Sequence, residues 1–117
     1  MKKQFLCLLL VLSAIFAVSA YAASDRTIDV YPHLEFNGTK ANCSVTILGE
    51  RTTDKISATM ELWQGNTLID DWSASGSGIL KMDKTTTVAK NKTYTLTVEY
   101  TVNGVEQTPV SISRTNN

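Results

Sequence analysis

The stretch Lys92-Thr93-Tyr94-Thr95-Leu96-Thr97-Val98-Glu99-Tyr100-Thr101-Val102-Asn103-Gly104 decides the fold. Tyr94, Leu96, Val98, Tyr100 and Val102 alternate with Thr95, Thr97, Glu99 and Thr101. Successive side chains of a strand point to opposite faces, so this pattern describes one long strand with an apolar side on a core and a polar side in water. Asn103-Gly104 then supplies two residues that tolerate positive φ, as a type I′ hairpin requires. Val105 to Ser113 returns as the final strand, with Val110 and Ile112 on one face and Pro109 suited to an edge. Arg114 to Asn117 reads as a polar, fraying end.

The same period of two extends back to Thr27, with no run of helical spacing. Ile28 to Phe36 makes a first strand whose Pro32, lacking an N–H, places it at a sheet edge or across a bend. Asn37-Gly38 turns the chain into a second strand, Lys40 to Leu48, on which Ala41, Cys43, Val45 and Ile47 share a face. Gly49 to Asp54 is a polar loop, after which Ile56, Ala58, Met60 and Leu62 alternate. Gln64-Gly65-Asn66 closes a hairpin into Thr67 to Ala74. Ser75-Gly76-Ser77-Gly78 reads as a loop or bulge, and Ile79 to Met82 with Thr86 to Val88 as one short or interrupted strand. The expected fold is an all-β, immunoglobulin/fibronectin-III-like β-sandwich of about seven antiparallel strands.

Two resemblances sharpen this. Lys92-Thr93-Tyr94-Thr95-Leu96-Thr97-Val98 resembles the penultimate strand of immunoglobulin-like domains, where a tyrosine near the strand start closes a corner by bonding backbone. In disulfide-bonded members the residue two beyond that tyrosine is a cysteine; here it is Leu96, so the resemblance is to disulfide-free bacterial sandwiches. The chain from Ala41 and Cys43, through Ile56, Ala58 and Leu62, Trp72-Ser73, Ser75 and Gly76, to Tyr94, Leu96 and Val98, is also similar to small secreted proteins of Gram-positive, clostridia-like bacteria. These residues are fold-makers, so that resemblance implies a fold and a compartment and brings no activity with it.

The N-terminus points to the same compartment. Lys2 and Lys3 precede an apolar run from Phe5 to Val18 and the small-x-small site Ala20-Tyr21-Ala22, the composition of a secretory signal peptide over residues 1–22. The apolar run is shorter than the roughly 20 residues a spanning helix needs, so the expectation is cleavage near Ala22, no permanent membrane anchor, and a single secreted domain over 23–117. Cys7 leaves with the leader. That leaves Cys43 as the sole cysteine of the domain, unable to form an intrachain bridge, and its apolar strand face predicts a buried thiol behaving as a small hydrophobe. The alternative is an intermolecular disulfide or a reactive nucleophile.

Charge excludes other classes. The eleven Lys and Arg residues match eleven Asp and Glu; removal of Lys2 and Lys3 leaves nine against eleven, interspersed, with no basic footprint for nucleic acid. The sequence has one histidine, His33, no Gly-x-Ser-x-Gly elbow, and no pair of carboxylates singled out by spacing. A non-enzymatic protein without cofactor or metal is expected. Asp70-Asp71 with Asp54 or Asp83 offers calcium ligands in type, but adjacent strand residues point apart. Asn37, Asn42 and Asn91 begin glycosylation sequons that read as turn and strand residues.

The candidate ligand-binding residues are Trp63, Trp72, Asp70 and Asp71. Two large rings on adjacent strands make a flat sugar-stacking or protein-binding patch, unless Trp72 is the inter-sheet core tryptophan and Trp63 covers an edge. The first functional expectation is a secreted, monomeric interaction module binding an extracellular protein through end loops or a sheet edge. The second is a carbohydrate-binding module using Trp63 and Trp72. A third is a protease inhibitor presenting Gly49 to Asp54 or Ser75 to Gly78.

Overall fold

The structure, a computed structural model, describes residues 28–117; the expected leader at 1–22 lies outside them. Two antiparallel sheets face each other. β1 (Asp29–Asn37), β2 (Lys40–Leu48) and β5 (Ile79–Thr87) form one, in the order β1-β2-β5. The other is β4 (Thr67–Ser77), β3 (Lys55–Gln64) and β6 (Lys92–Val102), with β7 (Val105–Glu106) and β8 (Val110–Asn116) following one another along the far edge of β6. Counting β7 and β8 as one broken strand gives a seven-stranded sandwich with the strand distribution of a fibronectin type III domain.

The alternation read from the sequence is the alternation that packs. Cys43, Val45 and Ile47 of β2, Met60 and Leu62 of β3, and Leu96 and Val98 of β6 are essentially inaccessible and fill the space between the sheets. Each buried aliphatic side chain of this kind contributes about 1.5–3 kcal/mol of transfer free energy. Pro32 lies on β1, the edge of the smaller sheet, where its missing donor costs no ladder bond on the outer side. Tyr94 closes the corner before β6: its hydroxyl accepts from Ala89 N at 2.8 Å, and its ring tilts against Phe36 with centroids 5.7 Å apart. The turn into β7 has positive φ at both central residues, 54° at Asn103 and 82° at Gly104, as a type I′ hairpin demands.

Four segments differ from the sequence expectation. Ser75 to Ser77 is regular strand within β4, and Gly78 alone carries the chain from the larger sheet to the smaller. Its φ is +78°, its N–H donates to Asp54 O and its carbonyl accepts from Gly49 N, both at 2.8 Å. A Cβ there would meet the Thr52 backbone at 3.0 Å. Ile79 to Thr87 is uninterrupted, because its whole length pairs with β2.

The final strand is broken at Gln107–Pro109. Thr101 pairs with Glu106 and Val98 with Val110, so three residues oppose two, as in a β-bulge. The extra residue reverses the alternation: Glu106 points outward, yet Val110 and Ile112 pack against the core. Lastly, the chain end does not fray at Arg114, because β8 runs to Asn116, whose side chain is 3% exposed. Asn116 Nδ2 donates to Gly38 O at 2.8 Å and to Ala89 O at 3.0 Å, and its carbonyl accepts from Asn91 N.

The Gly49 to Asp54 loop is tied down from within. Asp54 is 2% exposed; its Oδ2 accepts from Glu50 N at 2.9 Å and Arg51 N at 3.0 Å, and its Oδ1 from Asn103 Nδ2 at 3.0 Å. Asn103 Oδ1 in turn accepts from Lys55 N, so this loop and the β6–β7 turn form one hydrogen-bonded end of the sandwich.

Candidate functional site on the outer face of the larger sheet

The four residues singled out in the sequence do not converge. Trp72 pairs with the buried Met60 and packs against the core, so it faces inward. Trp63 pairs with Thr95, whose hydroxyl is on the outer face bonded to Ser113 at 2.7 Å, so Trp63 faces outward. The two rings are on opposite sides of one sheet, and the flat tryptophan patch is not formed. A register shift between Leu62 and Trp63 places an extra residue, Ile69, in β4, so that Leu68 lies beside Trp63 while Asp70 pairs with Leu62 on the inner side. Asp71 is exposed, pairing with Glu61, and its N–H is held by Asp70 Oδ1 at 2.9 Å. The two aspartates point apart, as the strand period requires.

Cys43 is buried. Burial pushes its thiol up to about 11, with the negative charge of Asp70 adding to the effect. His33 pairs with Ser44 on the outer face and holds Glu35 Oε2 at 2.8 Å, on the opposite side of the smaller sheet from Cys43, so these two residues do not form a dyad. Among the described residues no group of three or more His, Cys, Asp or Glu side chains is arranged to hold a metal ion.

The outer face of the larger sheet has a different character. Its outward positions are mainly serine and threonine, with cross-strand hydroxyl pairs Thr59–Ser73 at 2.9 Å, Thr93–Thr115 at 2.8 Å and Thr95–Ser113 at 2.7 Å. Each hydroxyl has one donor and two acceptor sites, so a paired hydroxyl keeps capacity for a ligand. A groove of about 640 Å³ crosses this face. Ser57, Thr59, Ser73, Ser75, Glu99 and Thr101 form its floor, and the bulged segment with Glu106, Gln107 and Pro109 its wall. Beyond the floor along β3 come Glu61 and then Trp63, whose Nε1 donates to Glu61 Oε1 at 3.2 Å; Thr97 Oγ1 donates to the same oxygen at 3.3 Å.

Of the residues on this face, Trp63 is among those singled out in the sequence, whereas the groove-lining Glu99, Glu106 and Gln107 are not. Glu99 stands in the polar half of the deciding strand, whose row of threonines is the available signal. Glu106 and Gln107 were read as ordinary strand residues, because nothing local in Val105 to Pro109 announces the bulge that raises the wall.

No family model and no curated protein matches the chain. Among solved structures it is similar to "The structure of a beta-glucuronidase from glycoside hydrolase family 2", with a TM-score of 0.44 and 12% identity, over 76% of this chain and 11% of that one. The chain thus spans about a ninth of that enzyme's length, and the likeness concerns the sandwich alone.

Proposed function

We propose that this protein is a secreted, non-catalytic β-sandwich recognition module that binds a glycan on the outer face of its larger sheet. The observation that supports this is the groove floored by hydroxyls at successive outward positions of β3 and β4 and by Thr101 of β6, on the face that also carries Trp63. Polyols are recognised by side chains that donate and accept at short spacing, with a ring to stack on, and this face supplies both. From Ser57 to Trp63 the row extends roughly 20 Å along β3, long enough for several sugar rings. Recognition is favoured over hydrolysis because Glu99 and Glu106 are both solvent-exposed on an open face, which neither excludes water nor grips a sugar in a distorted ring.

The carbohydrate reading therefore rests on Trp63 and the groove, without Trp72. It is tested by titrating the purified protein with soluble polysaccharides while following tryptophan emission. Binding should perturb emission in wild type and in Trp72→Phe, and Trp63→Ala should weaken affinity by about tenfold or more, the scale of a lost aromatic anchor. A panel of neutral, cationic and anionic glycans that leaves emission and heat unchanged would sink the reading.

A protein partner is the second reading, supported by a separate surface. Tyr31 and Ile79, 57% and 46% exposed, lie on the outer face of the smaller sheet, Ile79 paired with Leu48 and Tyr31 diagonal to Leu48 through its pairing with Thr46, making a small apolar patch of the kind that anchors protein contacts. Loss of a captured partner on Tyr31→Ser, with Trp63→Ala silent, is the result expected from that surface.

A further inference from the structure

We infer that the groove selects a glycan carrying free amines, an amino-sugar polymer lacking some or all of its acetyl groups. The inference rests on the glycan reading above and concerns the charge of the ligand. The only charged residues lining the groove are Glu99 and Glu106, and no Lys, Arg or His lines it. Asp71 and Glu61 add negative charge elsewhere on the same face, and Lys55, at the start of β3 beyond Ser57, is the cation that the described strands place there.

The two groove carboxylates differ from their neighbour Glu61. Glu61 is committed within the protein, accepting from Trp63 and Thr97. Glu99 and Glu106 receive no hydrogen bond or ion pair from any described residue; Glu99 sits diagonally across β6 and β7 from Glu106, which pairs with Thr101. Diagonal neighbours of this kind lie about 7–8 Å apart, so an ammonium entering between them is within reach of both side chains. A charge-assisted bond to a carboxylate is roughly twice as strong as a neutral one. An anionic polymer meets repulsion at the same place.

The remaining lining favours a sugar over a basic peptide. β3 is paired on both sides, to β4 and β6, so its backbone donors and acceptors are spent in the ladders and offer nothing to an extended peptide lying across the face. The groove floor presents side-chain hydroxyls instead, which match a polyol and leave the two glutamates to read its amines.

The test compares three hexamers by calorimetry against the full protein: glucosamine, N-acetylglucosamine and lysine. The glucosamine hexamer should bind about tenfold or more tighter than its acetylated counterpart at low salt. The preference should shrink at high salt, where exposed charges are screened, and disappear in E99Q/E106Q. Both substitutions are at exposed positions, and unchanged circular dichroism verifies the fold of that variant. Equal affinity for the two sugars in wild type overturns the inference and leaves the glycan reading intact. A preference that survives in E99Q/E106Q also overturns it. Lysine hexamer bound as tightly as glucosamine hexamer overturns it in favour of a basic peptide, and failure of both sugars to bind removes the glycan reading itself.

Discussion

The Tyr94 hydroxyl and the Ala89 backbone hold each other twice: Ala89 N donates to Oη at 2.8 Å, and Oη is 3.4 Å from Ala89 O, to which it donates. A phenol five residues downstream thus completes the backbone bonding of the corner, while its ring, 1% exposed, fills the core. Replacing Tyr94 by Phe keeps the ring and leaves the Ala89 donor without its partner. The expected loss is about 1–3 kcal/mol of unfolding free energy, read as a lower urea midpoint at unchanged slope. A midpoint equal to wild type would mean that water replaces the hydroxyl at no cost.

Asn116 joins three separate parts of the chain. Its amide reaches Gly38 and Ala89, and its carbonyl accepts from Asn91. Asn116→Ala removes the donor that the Gly38 and Ala89 carbonyls share, leaving Ala89 O with the longer bond from the Tyr94 hydroxyl and Gly38 O without its side-chain donor, and should cost about 2 kcal/mol. For a domain of this size that lowers the melting temperature by roughly 8–16 °C. Asn117→Ala, at an exposed neighbour, should leave it unchanged, and equal melting of the two variants would contradict the role assigned to Asn116.

Cys43 makes stability depend on alkaline pH. Its folded pKa is about 11 against an ordinary value of 9.0, so the folded state holds the proton more tightly than the unfolded state. The stabilisation is fully present below pH 9 and is lost as pH rises through 11, in total about 3 kcal/mol. Burial also raises the Tyr100 hydroxyl pKa from its ordinary value of 10.0, so a part of the decline belongs to that residue. Urea unfolding at a series of pH values should show a steeper fall in wild type than in Cys43→Ala between pH 9 and 11. Parallel curves would show that the thiol titrates alike in both states.

The sandwich was legible because its evidence is local and periodic. Tyr94 to Val102 carries a two-residue repeat, a corner tyrosine and an Asn-Gly turn within a dozen residues, and each makes the same demand of the backbone. What stayed hidden depends on residues distant in sequence. Ser75 to Gly78 looks like a loop by composition, but pairing with Lys55 to Ser57 keeps its first three residues extended. The polar tail at Asn116 is buried because the β1–β2 turn and the corner before β6 offer it carbonyls. Trp63 and Trp72 are separated by the shift at Leu62, which depends on how β3 meets β4.

The bulge at Gln107–Pro109 explains why the groove was missed as well. Glu106 and Val110 are four residues apart and share a face in any regular strand, yet one points to solvent and the other packs on the core. Only the offset between the Thr101–Glu106 and Val98–Val110 pairings reveals this.

The tie between Asn116 and Gly38 spans 78 residues, which sets an order of events during biosynthesis. The first hairpin can pair as soon as it is made, but the carbonyl of its turn has no partner until β8 is complete. A domain whose first turn and last strand must meet has high contact order and closes slowly. A ribosome-bound chain that ends before residue 116 therefore cannot make the final lock, and the chain remains open longer than its size alone would suggest.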